Sequence, residues 1–172
     1  MANRSSPYFR SVSSRGFRDA LSRFASGVTV ITAAGAPPSG VTISAFCALS
    51  LNPPLVLFCL DEKSRARKAF KVGVNFAAHI LAEDQQHLAH VFSLSGPRHW
   101  KKLGADMNGT GAPALKCALA VLQCRVEKMV KGGDHRIIIG RVRKIALNED
   151  KTAPLLHSQR AYYKLGRKLP RS

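Results

Sequence analysis

Residues 131–140 read KGGDHRIIIG, which sets two glycines, an acid and a histidine directly before a β-branched apolar run. A turn that only reverses the chain needs the glycines, and an aspartate there serves as an ordinary turn cap. The adjoining Asp134 and His135 offer more. At neutral pH a partly charged imidazole beside a carboxylate suits the holding of an anionic or amide-bearing ligand across a gap left by Gly132 and Gly133.

Two further stretches carry residue types that fit the same class of ligand. GVTISAFCALSLNPP places Thr42, Ser44, Cys47 and Ser50 among apolar positions before an Asn-Pro-Pro break. Such residues read either as a half-buried strand or as hydroxyls beside main-chain amides, a combination that accepts a phosphate and a flat heteroaromatic ring. In DEKSRAR, Ser64 reads as the N-cap of a short basic helix whose first amides face solvent or an incoming phosphate. His87 and His90 have a spacing compatible with metal binding, but no third ligand stands near them, so no metal site is expected. G-x-S-x-G, P-loop and G-x-G-x-x-G patterns are all missing, which disfavours serine hydrolases, P-loop NTPases and Rossmann dehydrogenases.

The elements that must position these residues are mostly strands. FRDALSRFAS spaces Phe17, Leu21 and Phe24 as an amphipathic helix that Gly27 ends. GVTVITAA, GVTISAFCALSL and PPLVLFCL predict three strands separated by turns. DEKSRARKAFKVG predicts the short helix, VNFAAHIL a strand, and AEDQQHLAHVFSLSG a helix with acids in its first turn and Leu88, Val91 and Phe92 as its apolar stripe. Residues 97–113 are Gly-rich and irregular and contain the only tryptophan, Trp100. LAVLQCRVEKMV and HRIIIGRVRKIAL predict a long hairpin about Gly132-Gly133, and a last short strand is expected from Ala161 to Leu165. Connections this short cannot make parallel crossovers, so the expectation is an antiparallel β-barrel with a few peripheral helices.

Composition sets the outer bounds. With 172 residues, 45% hydrophobic and 22% charged, the chain fits one folded domain. Its net charge of +17 is unusual, but eight of those charges lie in acid-free ends, 1–16 and 160–172. We therefore expect disordered basic tails over 1–16 and 166–172 around a domain spanning 17–165. An Arg/Ser-rich opening also admits an organelle transit segment, though a plain tail is the simpler reading. The remaining positive surface would draw phosphorylated cofactors, and no motif for specific nucleic-acid recognition accompanies it. The four cysteines form no C-x-x-C pair and are expected as buried thiols of a reducing compartment. The absence of a membrane-length apolar run and of a secretory h-region leads to an expected cytoplasmic location with no membrane partner.

In order and spacing, FASGVTVIT, GVTISAFCALSLNPPLVLFCLDEKS, NFAAHILAEDQQHLAHVFS, GAPAL, ALAVLQCRVE, GDHRIIIGRV and PLLHSQRAYYKL resemble the short-chain flavin reductases that serve two-component monooxygenases. The resemblance covers about Phe17 to Leu165. It implies the Greek-key, FMN-binding split barrel, FMN or FAD reduced by NADH or NADPH, a homodimer, and a partner monooxygenase fed by diffusible reduced flavin. The family's flavin strand corresponds to Thr42, Ile43, Ser44, Ala45, Phe46, Cys47, Ala48, Leu49 and Ser50. Ser64 corresponds to its phosphate-contacting serine. Gly133, Asp134 and His135 correspond to its Gly-Asp-His turn, where the histidine helps to seat the nicotinamide and the acid orients that histidine or the turn.

Three positions depart from the pattern: His79 stands where asparagine is usual beside the ring, Ala48 replaces a serine, and Ala66 replaces a threonine near the phosphate. Hydride passes between the cofactors themselves, so the resemblance implies binding residues and no catalytic side chain. Two rivals belong to other classes: a tightly flavin-bound electron carrier or sensor without turnover, and a basic nucleic-acid or anion-binding module.

Overall fold

In the run LVLFCL every second side chain turns inward: Val56, Phe58 and Leu60 are buried, while Leu55, Leu57 and Cys59 between them are half-buried. That alternation marks one strand of a curved sheet with a single closed interior. The computed structural model describes residues 9, 11–94, 96, 98–107, 111–150 and 153–168. Of the tails expected over 1–16 and 166–172, residues 1–8, 10 and 169–172 lie outside the described residues.

Two α-helices and twelve strands follow in chain order among the described residues: α1 (Ser14–Leu21), β1 (Ser26–Gly27), β2 (Thr29–Ala33), β3 (Ser39–Ile43), β4 (Phe46–Ser50), β5 (Leu55–Asp61), β6 (Asn75–Ile80), α2 (Gln86–Ser93), β7 (Ala105–Asp106), β8 (Ala114–Leu115), β9 (Ala120–Gly132), β10 (His135–Leu147), β11 (Leu156–Ser158) and β12 (Ala161–Tyr163). Seven strands form the main sheet in the order β3-β2-β6-β9-β10-β5-β4, with every neighbouring pair antiparallel. The β1-β11-β12 and β7-β8 sheets are small additions. The architecture is the mainly β, antiparallel split barrel with peripheral helices.

The two outer strands of the seven, β3 and β4, are consecutive in the chain and joined only by Ser44 and Ala45. The sheet must therefore roll until its edges meet, yet no ladder closes them. Near the crossing the Cys59 N–H donates to the Ala45 carbonyl at 3.0 Å. Irregularities in the β9–β10 register at Ile139/Gly140 and Val142/Lys144 supply the bend that a rolled hairpin needs. Inside, Phe58, Phe70 and Phe76 meet edge to face, with ring centroids 5.4 to 6.4 Å apart. Phe76 fits there because residue 140 is glycine: a Cβ at that position would run into its ring.

Four expectations are corrected. The single strand expected over GVTISAFCALSL is two strands, because the chain changes partner from β2 to β5 at Ser44-Ala45. The basic helix after Ser64 is only a 3-10 turn, Arg65–Ala69, and the Ser64 side chain makes no capping hydrogen bond. Glu83 and Asp84 precede α2 instead of occupying its first turn. There Gln85, itself buried, accepts from the Ala82 N–H at 2.9 Å and donates to the Cys117 carbonyl at 2.7 Å. The cysteines are not uniformly buried, since Cys47 and Cys117 are exposed, Cys59 is intermediate and Cys124 alone is buried.

The first helix begins at Ser14, inside the segment expected as tail, because Ser13 Oγ accepts the Gly16 N–H at 3.1 Å and caps it. Its apolar residues Phe17 and Leu21, and Phe24 just beyond, are all exposed.

Candidate functional site

The split between β3 and β5 opens as a cleft of about 250 Å3 whose walls include Thr42, Ile43, Ser44 and Ala45 on one side and Cys59, Leu60 and Asp61 on the other, with Ser64 and His135 also lining it. Each group arrives by a different part of the sheet. Thr42 to Ala45 come from the end of edge strand β3, whose outer row of amides has no ladder partner. His135 arrives because β10 runs antiparallel to β5 with His135 opposite Asp61.

The turn that delivers His135 consists of Gly133 and Asp134, flanked by the paired Gly132 and His135. Gly133 has φ of 60°, while Asp134 stays out of the positive-φ region. Positive φ at the first central position alone is the II′ pattern, which favours glycine there. Asp134 Oδ1 lies 2.7 Å from His135 Nδ1, and this hydrogen bond holds the Asp134 carboxyl below its ordinary pKa. The bond fixes the imidazole with Nδ1 towards the acid and leaves Nε2 for another partner.

A second set of contacts ties this turn to the Ser64 segment. Glu62 donates its N–H to the Asp134 carbonyl at 3.0 Å, and Ser64 donates its N–H to the Asp61 carbonyl at 2.9 Å. The Glu62 carboxylate also sits 2.5 Å from Arg136 Nε and 3.3 Å from Arg67 Nε, and the Arg136 hydrogen bond pulls its pKa down.

Of the residues expected from the sequence, Thr42, Ile43, Ser44, Ala45, Ser64 and His135 share this cleft. Thr42 spends its hydroxyl proton on the Ala89 carbonyl at 2.7 Å, so towards a ligand it has only acceptor capacity left. Gly133 and Asp134 are not among the cleft walls, and Asp134 is tied to the cleft through His135. Phe46 packs against the barrel core, and Cys47, Ala48, Leu49 and Ser50 run along edge strand β4, outside the cleft walls. His79 is not at the cleft: it is fully buried, with Nδ1 2.8 Å from the Val30 carbonyl and Nε2 accepting the Leu115 N–H at 3.0 Å. Only a neutral ring with its proton on Nδ1 serves both partners, and burial pushes its pKa down to about 4. His87 and His90 are exposed on α2.

Val41 and Ser64 also border a larger cleft of about 580 Å3 that continues past α2. Its walls include Arg65, Phe92, Arg98 and Trp100, which the sequence reading did not assign to the site. Gly40 makes it possible, because a Cβ there would stand 2.5 Å from the Phe92 ring. An isolated tryptophan in a Gly-rich segment was the only signal, and it did not say which surface Trp100 faces.

The donor set fits a flavin and its phosphate: hydroxyl and main-chain groups of an open sheet edge, a serine hydroxyl with no capping bond, and a histidine held by Asp134. Among the described residues the one acid in the cleft walls, Asp61, is already engaged by the Lys63 N–H at 2.7 Å.

Comparisons with known proteins give the chain's relatives. The chain is 40% identical over 134 residues to the FMN reductase (NADH) SmoA of Agrobacterium fabrum, covering 77% of this chain and 76% of that protein. It is 37% identical over 152 residues to the reductase component of 4-hydroxyphenylacetate 3-monooxygenase from Thermus thermophilus, covering 87% and 95%. The crystal structure of nitrilotriacetate monooxygenase component B from Mycobacterium thermoresistibile superposes with a TM-score of 0.84 at 34% identity, over 92% of this chain and 90% of that one. Residues 21–166 match the model of the flavin reductase like domain, and the chain belongs to that family.

Proposed function

We propose that this chain is an NADH-dependent flavin reductase that supplies reduced flavin to a partner monooxygenase. The observation that carries the reading is the convergence of the unpaired β3 edge, Ser64 and His135 on one cleft in a chain of the flavin reductase family. Thr42 to Ala45 would support the flavin ring, with Cys47 to Ser50 following on edge strand β4, and Ser64 would meet its phosphate. His135, held by Asp134, would seat the nicotinamide. Bound together, the two cofactors supply hydride donor and acceptor.

The protein's part is placement. The cleft walls would hold the two rings together in place of a bimolecular search and would keep water from between them. Hydride transfer itself demands no general acid, so His135 is assigned to binding.

A second copy of the chain is part of this reading. Phe17, Leu21 and Phe24 at α1, with Leu49 and Leu51 at the exposed β4 edge, leave apolar side chains in solvent that a homodimer would cover. Among the described residues no helix is long and apolar enough to cross a membrane, and we place the protein in the cytoplasm, where NADH and reduced thiols are at hand.

Steady-state NADH oxidation by the purified protein, with and without added flavin, tests the function. Turnover that scales with added flavin is expected. Flavin that stays bound through gel filtration without any NADH oxidation would overturn the reading in favour of a carrier or sensor.

A further inference from the structure

The long hairpin carries a basic groove away from the cofactor cleft. In the β9–β10 ladder Arg125 and Arg141 are direct cross-strand partners, and their neighbours Val126 and Gly140 turn into the core, so both arginines stand on the outer face. Arg141 lies six residues beyond His135, about 20 Å along β10 from the cleft. Like charges set opposite each other destabilise a sheet, so the pair calls for a counter-charge.

The two irregularities in that ladder supply the rest of the groove. Glu127 is passed over between the Ile139–Lys128 and Gly140–Val126 pairs, and Arg143 between Val142 and Lys144, so both leave the strict alternation of the strands. Glu127 spends both carboxylate oxygens on Arg141, at 2.6 and 3.0 Å. Arg125 is held from another segment: its Nε donates to the Gly73 carbonyl at 3.0 Å, and residue 73 has φ of 88°, with room for the guanidinium because it lacks a Cβ. The two Nη groups of Arg125 have no acceptor among the described residues, and Arg143 has no hydrogen-bond or ion-pair partner among them. With the exposed Val72, these residues line about 340 Å3, a volume in the range of small-molecule sites.

Three guanidiniums and one carboxylate leave the groove with two unmatched positive charges. A carboxylate ligand would neutralise one of them. A phosphate group, close to a dianion at neutral pH, matches both and offers oxygens to more than one guanidinium fork. Val72 gives apolar contact to the carbon part of an ester. We propose that the groove between Arg125, Arg141 and Arg143 binds a phosphate dianion, carried by a small phosphomonoester or free in solution, at a site separate from the cofactor cleft. The proposal is independent of the assignment of that cleft to flavin.

Calorimetric titration of the full chain with phenyl phosphate, inorganic phosphate and benzoate reads the site without turnover, in about 0.15 M salt so that diffuse surface attraction is screened. Arg143 holds nothing in the fold, so Arg143→Ala should leave the melting temperature unchanged. It should raise the Kd for phenyl phosphate about tenfold or more, the scale of one lost charge-assisted hydrogen bond. Ser64→Ala, which alters the cofactor cleft, should leave the same Kd unchanged. Phenyl phosphate bound more tightly than inorganic phosphate assigns the groove to an ester, and inorganic phosphate bound at least as tightly assigns it to the free ion; either result supports a phosphate site. Benzoate bound as tightly as phenyl phosphate overturns the proposal, because the groove then reads a single charge. So does an absence of binding, a Kd that Arg143→Ala does not move, or one that Ser64→Ala raises, because the anion then sits elsewhere.

Discussion

Glu62 donates its backbone N–H to the Asp134 carbonyl across 3.0 Å, so the loop that carries Ser64 and the turn that carries His135 are fastened to each other. The Glu62 side chain repeats the connection, reaching Arg136 beside the histidine and Arg67 in the turn after the serine. One acid thereby links the two segments that bring Ser64 and His135 to the cleft.

His135→Ala should raise the KM for NADH about tenfold, the scale of one lost hydrogen bond to a charged group, and should raise the KM for flavin much less. The turn survives the substitution, since Gly133 and the Glu62–Asp134 bond do not depend on the imidazole. Steady-state kinetics with each substrate varied in turn provides the check, and equal losses for both substrates would remove His135 from the nicotinamide seat.

Gly140→Ala tests the barrel independently of the site. Its Cβ has nowhere to go but into the Phe76 ring, in a cluster already filled by Phe58 and Phe70. Overpacking of this kind costs about 1–3 kcal/mol. A melting temperature lower by several degrees, with KM values for flavin and NADH close to wild type, is the expected result.

The strands were legible because their burial follows the pleat: in PPLVLFCL and the two arms of the long hairpin, residue type and alternation agree with the observed ladders. The break at Ser44-Ala45 was not legible, because every residue around it suits a strand and the change of partner is imposed by closure of the sheet. The same limit hid the larger cleft, whose walls come from segments far apart in the chain and meet only when α2 packs on β3. His79 shows a third limit. Its sequence position says that it lies in a strand, but not that its ring faces Val30 and Leu115 instead of a ligand.

That burial makes His79 a source of pH-dependent stability. Its folded pKa, about 4, is depressed from the ordinary 6.5, so between these values the unfolded chain binds the proton and the folded one does not. The unfolded state therefore gains as pH falls through this window, and stability rises again with pH until it levels off above about 6.5. The full difference corresponds to about 3 kcal/mol. Urea unfolding at pH 7 and pH 4.5 should show the loss, and His79→Asn, which retains a donor and an acceptor but does not titrate, should flatten that part of the profile.

Thiol reactivity should divide the four cysteines by place in the fold. Cys47 lies exposed on the β4 edge and Cys117 is exposed before β9, so both should react with a disulfide reagent in the native protein. Desolvation by burial raises the Cys59 pKa and, at Cys124, pushes the thiol up to about 12, which leaves almost no thiolate to attack at neutral pH. Mass spectrometry of the protein under brief labelling should find Cys47 and Cys117 modified first, Cys59 slowly, and Cys124 only after unfolding. Because Cys59 is a wall of the cleft proposed for flavin and Cys47 is on the neighbouring edge strand, bound flavin should slow Cys59 further and leave Cys117 unchanged. Protection of Cys117 instead, or of neither thiol, would place the flavin elsewhere on the barrel.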